Sequence, residues 1–72
     1  MICRFNLGKE KCFKRTLSQI PREGETVCLI EDQKRMTFKI SKIQWNVYSP
    51  WEYEDTPIDV EIELRTIFNI DH

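Results

Sequence analysis

Met36-Thr37-Phe38-Lys39-Ile40-Ser41-Lys42-Ile43-Gln44-Trp45-Asn46-Val47 and Ile58-Asp59-Val60-Glu61-Ile62-Glu63-Leu64 are the two arms of a predicted β-hairpin, and the rest of the chain can be read as what folds around them. The second arm alternates apolar and charged residues without error, the period-2 signature of a strand with one face buried and one in water. The first arm alternates in two phases. Met36, Phe38 and Ile40 share one face, and Ile43, Trp45 and Val47 share the next, so the parity slips by one at Ser41-Lys42. Keeping both apolar sets on the core side requires one extra residue, which a β-bulge inserts.

The bulge can be tested against the other arm. With Val47 opposite Ile58, Trp45 faces Val60 and Ile43 faces Ile62, while the outward pairs become Asn46 with Asp59, Gln44 with Glu61 and Lys42 with Glu63. Beyond the bulge Ile40 meets Leu64 and Lys39 meets Arg65. That last pair alone opposes like charges, and such a pair costs no more than about 1 kcal/mol.

Outside the hairpin, Ile2–Leu7 reads as a strand with Cys3, Phe5 and Leu7 on one face, and Gly8-Lys9-Glu10-Lys11 as a turn. Cys12–Ile20 carries a mixed pattern, in which an extended segment is favoured over a short helix because charges are dense and no N-cap precedes Phe13. Ile20-Pro21-Arg22-Glu23-Gly24-Glu25 is a turn in which Pro21 presets φ and Gly24 accepts the closing conformation. Thr26–Ile30 is apolar on both faces, as expected of a strand covered on both sides or placed centrally, and Glu31–Lys34 is a short polar turn. Turns about every ten residues make the chain all-β: a small, highly curved antiparallel sheet or barrel of about five strands.

Seventy-two residues make one small domain, which oligomerisation would help to stabilise. No apolar run approaches a membrane span and no signal-peptide h-region follows Met1, so the expected compartment is the cytoplasm. Cys3, Cys12 and Cys28 lack CxxC spacing and the single histidine is His72, so neither a metal nor a cofactor is expected. The cysteines read as reduced thiols in core or semi-buried positions. No phosphate loop, Ser/His/Asp set or Cys/His pair is present, and the strand carboxylates point outward to water, so enzymatic activity is not expected.

Charge is unevenly spread. Residues 1–22 hold six basic residues against Glu10, a balance of +5, whereas residues 50–72 hold seven acidic residues against Arg65, a balance of −6. Either the basic end forms a nucleic-acid face, or the two ends pair as neighbouring strands and neutralise each other, which is the favoured account.

The pattern Ile20-Pro21-Arg22-Glu23-Gly24-Glu25-Thr26-Val27, followed by a turn, a strand through Phe38–Val47, a long loop and a final alternating strand, resembles the small SH3-like barrels found as uncharacterised proteins of bacteria and their phages. The fragment Gly24-Glu25-Thr26-Val27-Cys28-Leu29 is also similar to the opening of the KOW motif of ribosome- and polymerase-associated proteins, although the turn at Glu31–Arg35 lacks the glycines usual there.

Two functions follow as expectations. The loop Tyr48-Ser49-Pro50-Trp51-Glu52-Tyr53-Glu54-Asp55-Thr56-Pro57 sets aromatic residues among carboxylates between two prolines, a composition suited to gripping a protein partner or a second copy. Tyr48, Trp51, Glu52, Tyr53 and Glu54 are its candidate contacts; the competing account folds Trp51 back as a lid over the open end of a barrel. The alternative is a KOW-like nucleic-acid binder using Lys9, Lys11, Lys14 and Arg15. A protein-interaction module is the favoured reading.

Overall fold

A computed structural model describes residues 1–67. Its strands are β1 (Ile2–Leu7), β2 (Lys11–Thr16), β3 (Thr26–Glu31), β4 (Lys34–Trp45) and β5 (Val60–Thr66), in one sheet of order β2-β1-β5-β4-β3. The all-β expectation holds, and the sheet curls into a half-barrel consistent with a small SH3-like barrel. β1 and β2, β3 and β4, and β4 and β5 pair antiparallel as expected, but β1 and β5 run parallel, so the sheet is mixed and not wholly antiparallel: β5 returns beside β1 after the β3–β4 excursion instead of by a hairpin.

The predicted hairpin register is observed. Trp45 pairs with Val60, Gln44 with Glu61, Ile43 with Ile62 and Lys42 with Glu63; the register shifts between Ile40 and Lys42, and Ile40 then pairs with Leu64 and Lys39 with Arg65. Ser41 is the inserted residue, and its hydroxyl donates to the Glu63 carbonyl at 3.1 Å. The extra residue keeps Phe38 and Ile40 buried while Ile43 packs against the same core.

That core fills the inside of the curl. Cys3 and Phe5 from β1, Phe13 from β2, Leu29 from β3, Phe38 and Ile40 from β4, and Val60, Ile62 and Leu64 from β5 are buried together. The parallel pairing matches like with like: Cys3 lies beside Val60, Phe5 beside Ile62 and Leu7 beside Leu64, so each inward side chain of β1 meets an inward one of β5.

The turns are cut as their residues require. Gly8 has φ of 62° and Gly24 of 87°. In the Ile20–Glu25 turn the Gly24 N–H donates to the Ile40 carbonyl at 2.9 Å, and the Arg22 N–H to the Glu25 side chain at 2.7 Å. The β3–β4 connection is tighter than its sequence advertises. Glu31 pairs with Lys34, leaving Asp32 (φ 49°) and Gln33 (φ 65°) as a two-residue loop with both residues left-handed and no glycine in either place.

Three further expectations need correction. Thr26–Ile30 is an edge strand, not a central one: Cys28 and Ile30 are exposed, and only Leu29 of β3 is buried. Its outward apolar residues reflect an uncovered edge. Trp45 and Val47, expected on the core face with Ile43, are 55% and 91% exposed, because β4 ends at Trp45 and the last rung beyond it is the Asn46 N–H donating to the Asp59 carbonyl at 2.9 Å. Of the cysteines Cys3 alone is buried; Cys12 and Cys28 face outward on strands that have no second layer above them.

Candidate interaction surface

The loop between β4 and β5 is tied down at its base. The Ile58 carbonyl accepts from both the Asn46 amide nitrogen and the Tyr48 hydroxyl, each at 2.9 Å. Asp59 secures the other side: its N–H donates to the Ile2 carbonyl at 2.9 Å, and its carboxylate accepts from the Ile2 N–H at 2.8 Å. Ile58 itself is buried. The two ends of the loop are therefore tied to each other across its base, and the Asp59 end is fixed to β1.

The tip is a turn. The Glu52 N–H donates to the Ser49 carbonyl at 3.0 Å, which closes Ser49-Pro50-Trp51-Glu52 with proline at the second position, where its fixed φ fits. Trp51 is 81% exposed and Tyr53 84%, so Trp51 does not fold back as a lid over the core. Tyr48 and Trp45 are also exposed. Glu52, Glu54 and Asp55 lie exposed beside them, and residues 46–59 contain no Lys or Arg. The loop is a negatively charged aromatic surface on a fixed base.

The basic residues are less unified. Lys9 lies in the β1–β2 turn, Lys11 opens β2 opposite Leu7, and Lys14 sits opposite Arg4 on the outward face of the sheet. Arg15 points the other way. Its guanidinium lies 5.9 Å from the Phe13 ring and donates to the Lys14 carbonyl at 2.7 Å, to the Ile30 carbonyl at 3.2 Å and to Glu31 at 3.3 Å. Four cations of one sequence segment are thus divided between two faces by strand alternation.

A cluster centred on Glu61 escaped the reading of the sequence, which placed the strand carboxylates in water. Glu61 accepts from Arg4 Nε at 2.8 Å and Nη2 at 2.5 Å, from the Asn6 amide at 3.0 Å and from the Asn46 amide at 3.4 Å. The Arg4 hydrogen bonds hold the Glu61 carboxyl below its ordinary range, with those from Asn6 and Asn46 adding to them against partial burial. The contact joins the basic and acidic ends of the chain, and for Arg4 the neutralisation account holds. The charge balance set the basic and acidic ends side by side, but no local pattern specified the register that brings Arg4 and Asn6 to Glu61.

Among the described residues no group of three His, Cys, Asp or Glu side chains comes together as a metal site, and no helix is long and apolar enough to cross a membrane. Comparison with protein-family models, with curated proteins and with solved structures gave no match.

Proposed function

We propose that this chain is a non-enzymatic interaction module that grips a protein partner through the aromatic-acidic loop, with Tyr48, Trp51, Glu52, Tyr53 and Glu54 as its contacts. One observation carries the reading: exposed large apolar side chains concentrate between Trp45 and Tyr53, at the end of the sheet where the core has already closed without them. An aromatic side chain buries about 150–250 Å² when covered. At about 25 cal/mol per Å² that is a contribution of about 4–6 kcal/mol per ring before the costs of association are set against it. The pinned base and the two prolines lower the ordering cost on binding. The carboxylates favour a partner surface that sets basic residues around an apolar pocket. A small barrel that presents one loop accords with the resemblance to SH3-like barrel proteins of bacteria and their phages.

The test is affinity capture from host lysate with the full chain and with Trp51→Ala, each with and without nuclease, alongside thermal melts of both proteins. The module reading requires one nuclease-resistant protein that is recovered by the wild type and lost by the variant at an unchanged melting temperature. Recovery that disappears on nuclease treatment would instead assign function to Lys9, Lys11 and Lys14, with affinity that falls steeply with salt.

A further inference from the structure

A curled sheet that stops short of closing leaves two edges, and the two are protected differently. Edge strands expose a row of backbone donors and acceptors that invites another strand, and proteins blunt them with charge or proline. β2 carries Lys11, Lys14 and Arg15 along its edge; β3 carries a single charge, Glu31 at its last position, and no proline.

The hydrogen-bond alternation shows which groups of β3 are available. The Glu25 carbonyl accepts from the Ile40 N–H at 2.8 Å, so Glu25 faces β4. By alternation Val27, Leu29 and Glu31 also face β4, while the N–H and C=O groups of Thr26, Cys28 and Ile30 point away from the sheet. The Ile30 carbonyl confirms the phase, because it accepts from Arg15 across the seam. Among the described residues Arg15 supplies the one hydrogen bond to that edge, at its end.

Beside this edge lies an open cleft of about 520 Å³, floored by Phe5, Leu17, Ile20, Val27 and Leu29. A strand entering it alongside β3 would turn alternate side chains down onto that apolar floor and the others outward. Outward, it would meet a basic flank: Lys39 stands opposite Thr26, Arg35 opposite Ile30, and Arg65 opposite Lys39 on the next strand. At about 4.8 Å per strand, an outward group on an added strand lies about 10 Å from the Lys39 and Arg35 positions, within a Debye length at moderate salt and closer once the long side chains extend.

We propose that the outer edge of β3 is a second binding site, which takes an extended peptide of alternating apolar and acidic residues as a sixth strand. Backbone pairing with Thr26, Cys28 and the Ile30 N–H supplies the docking, with the Ile30 carbonyl left to Arg15; the cleft selects apolar residues at every second position, and the basic flank selects carboxylates between them. The site uses the half of β4 remote from the aromatic loop and does not depend on the function proposed for that loop.

The probe is an acetylated, amidated heptapeptide alternating valine and glutamate, with a control in which lysine replaces glutamate, titrated into the ¹⁵N-labelled full chain. With the glutamate peptide at about ten times its dissociation constant, amide exchange at Thr26, Cys28 and Ile30 should slow about tenfold. The lysine peptide should bind more weakly. Cys28→Pro, which removes an edge N–H outside the β3–β4 ladder, should abolish the protection; if that variant does not fold, Thr26→Pro removes another outward N–H at the first residue of the strand, where proline is tolerated, and serves the same purpose. Unprotected amides at saturation, or equal binding of both peptides, would overturn the proposal. Shifts confined to Trp51 and Tyr53 would overturn it while supporting the loop. Protection that grows with protein concentration in the absence of peptide would also overturn it, because the edge would then belong to a second copy of the chain.

Discussion

Arg4 of β1 meets Glu61 of β5 across the parallel pairing, its Nε 2.8 Å from Oε1 and its Nη2 2.5 Å from Oε2, and this contact ties the first strand of the chain to the last. The Glu61 side chain is 18% exposed and that of Arg4 38%, so water screens the pair only in part. Arg4→Met should cost about 1 kcal/mol, since it leaves a half-buried carboxylate with only amide donors, discounted for the exposure of the arginine. Urea denaturation of the wild type, Arg4→Met, Glu61→Gln and the double variant would isolate the coupling; additive effects would mean that the pair contributes nothing.

The same contact sets a pH dependence. The folded-state pKa of Glu61 is depressed, so its contribution is fully present above the unfolded carboxyl value of about 4.3 and is lost as pH falls through the lower folded value. The stability gap between the wild type and Glu61→Gln should therefore hold from neutrality to about pH 5 and shrink below it. A gap unchanged at pH 3 would show that the carboxylate charge is irrelevant.

Ser41 is needed for its presence rather than its side chain. Ser41→Ala removes an exposed hydroxyl contact to the Glu63 carbonyl and should shift stability by no more than about 0.5 kcal/mol. Deleting Ser41 forces either Phe38 and Ile40 or Ile43 onto the solvent face, and the chain should fail to fold. Cooperative melting of the deletion variant would refute the bulge.

Gln33 sits at φ of 65°, where a residue with a Cβ is strained by about 1–2 kcal/mol. Gln33→Gly should relieve it and stabilise the protein by about 1 kcal/mol, seen as a higher urea midpoint at constant m-value. A lower midpoint would mean that the Asp32-Gln33 loop is held by contacts of the glutamine side chain.

The three thiols should separate cleanly under alkylation. Cys12 and Cys28 are exposed and should react with iodoacetamide in the native protein, whereas Cys3 is buried, with its pKa raised chiefly by desolvation, and should react only on unfolding. Peptide mass spectrometry reads all three at once; native labelling of Cys3 would show that β1 frays.

The central hairpin was legible because its information is local. Period 2 on each side of Ser41, with one phase slip, admits a single register that buries Phe38, Ile40 and Ile62 together, and the structure adopts it. The turns at Gly8 and Gly24 were legible for the same reason, since a glycine marks where the backbone needs positive φ. The cluster around Glu61 was not, because its members come from positions 4, 6, 46 and 61 and meet only when β1 docks beside β5.

The sequence by itself determined that the chain is all-β, where its strands turn, which parity of the two hairpin arms faces inward and which loop concentrates aromatic residues, because alternation and turn chemistry act between near neighbours. Tertiary structure alone decided that β1 runs parallel to β5, that Thr26–Glu31 is an uncovered edge although it reads as a central strand, and that Trp51 stands in solvent. Strand order is a choice among long-range pairings with nearly equal local preference. The curl that brings Cys3, Phe5, Val60 and Ile62 into one core settles it, and burial follows from that order rather than from the pattern of any single strand.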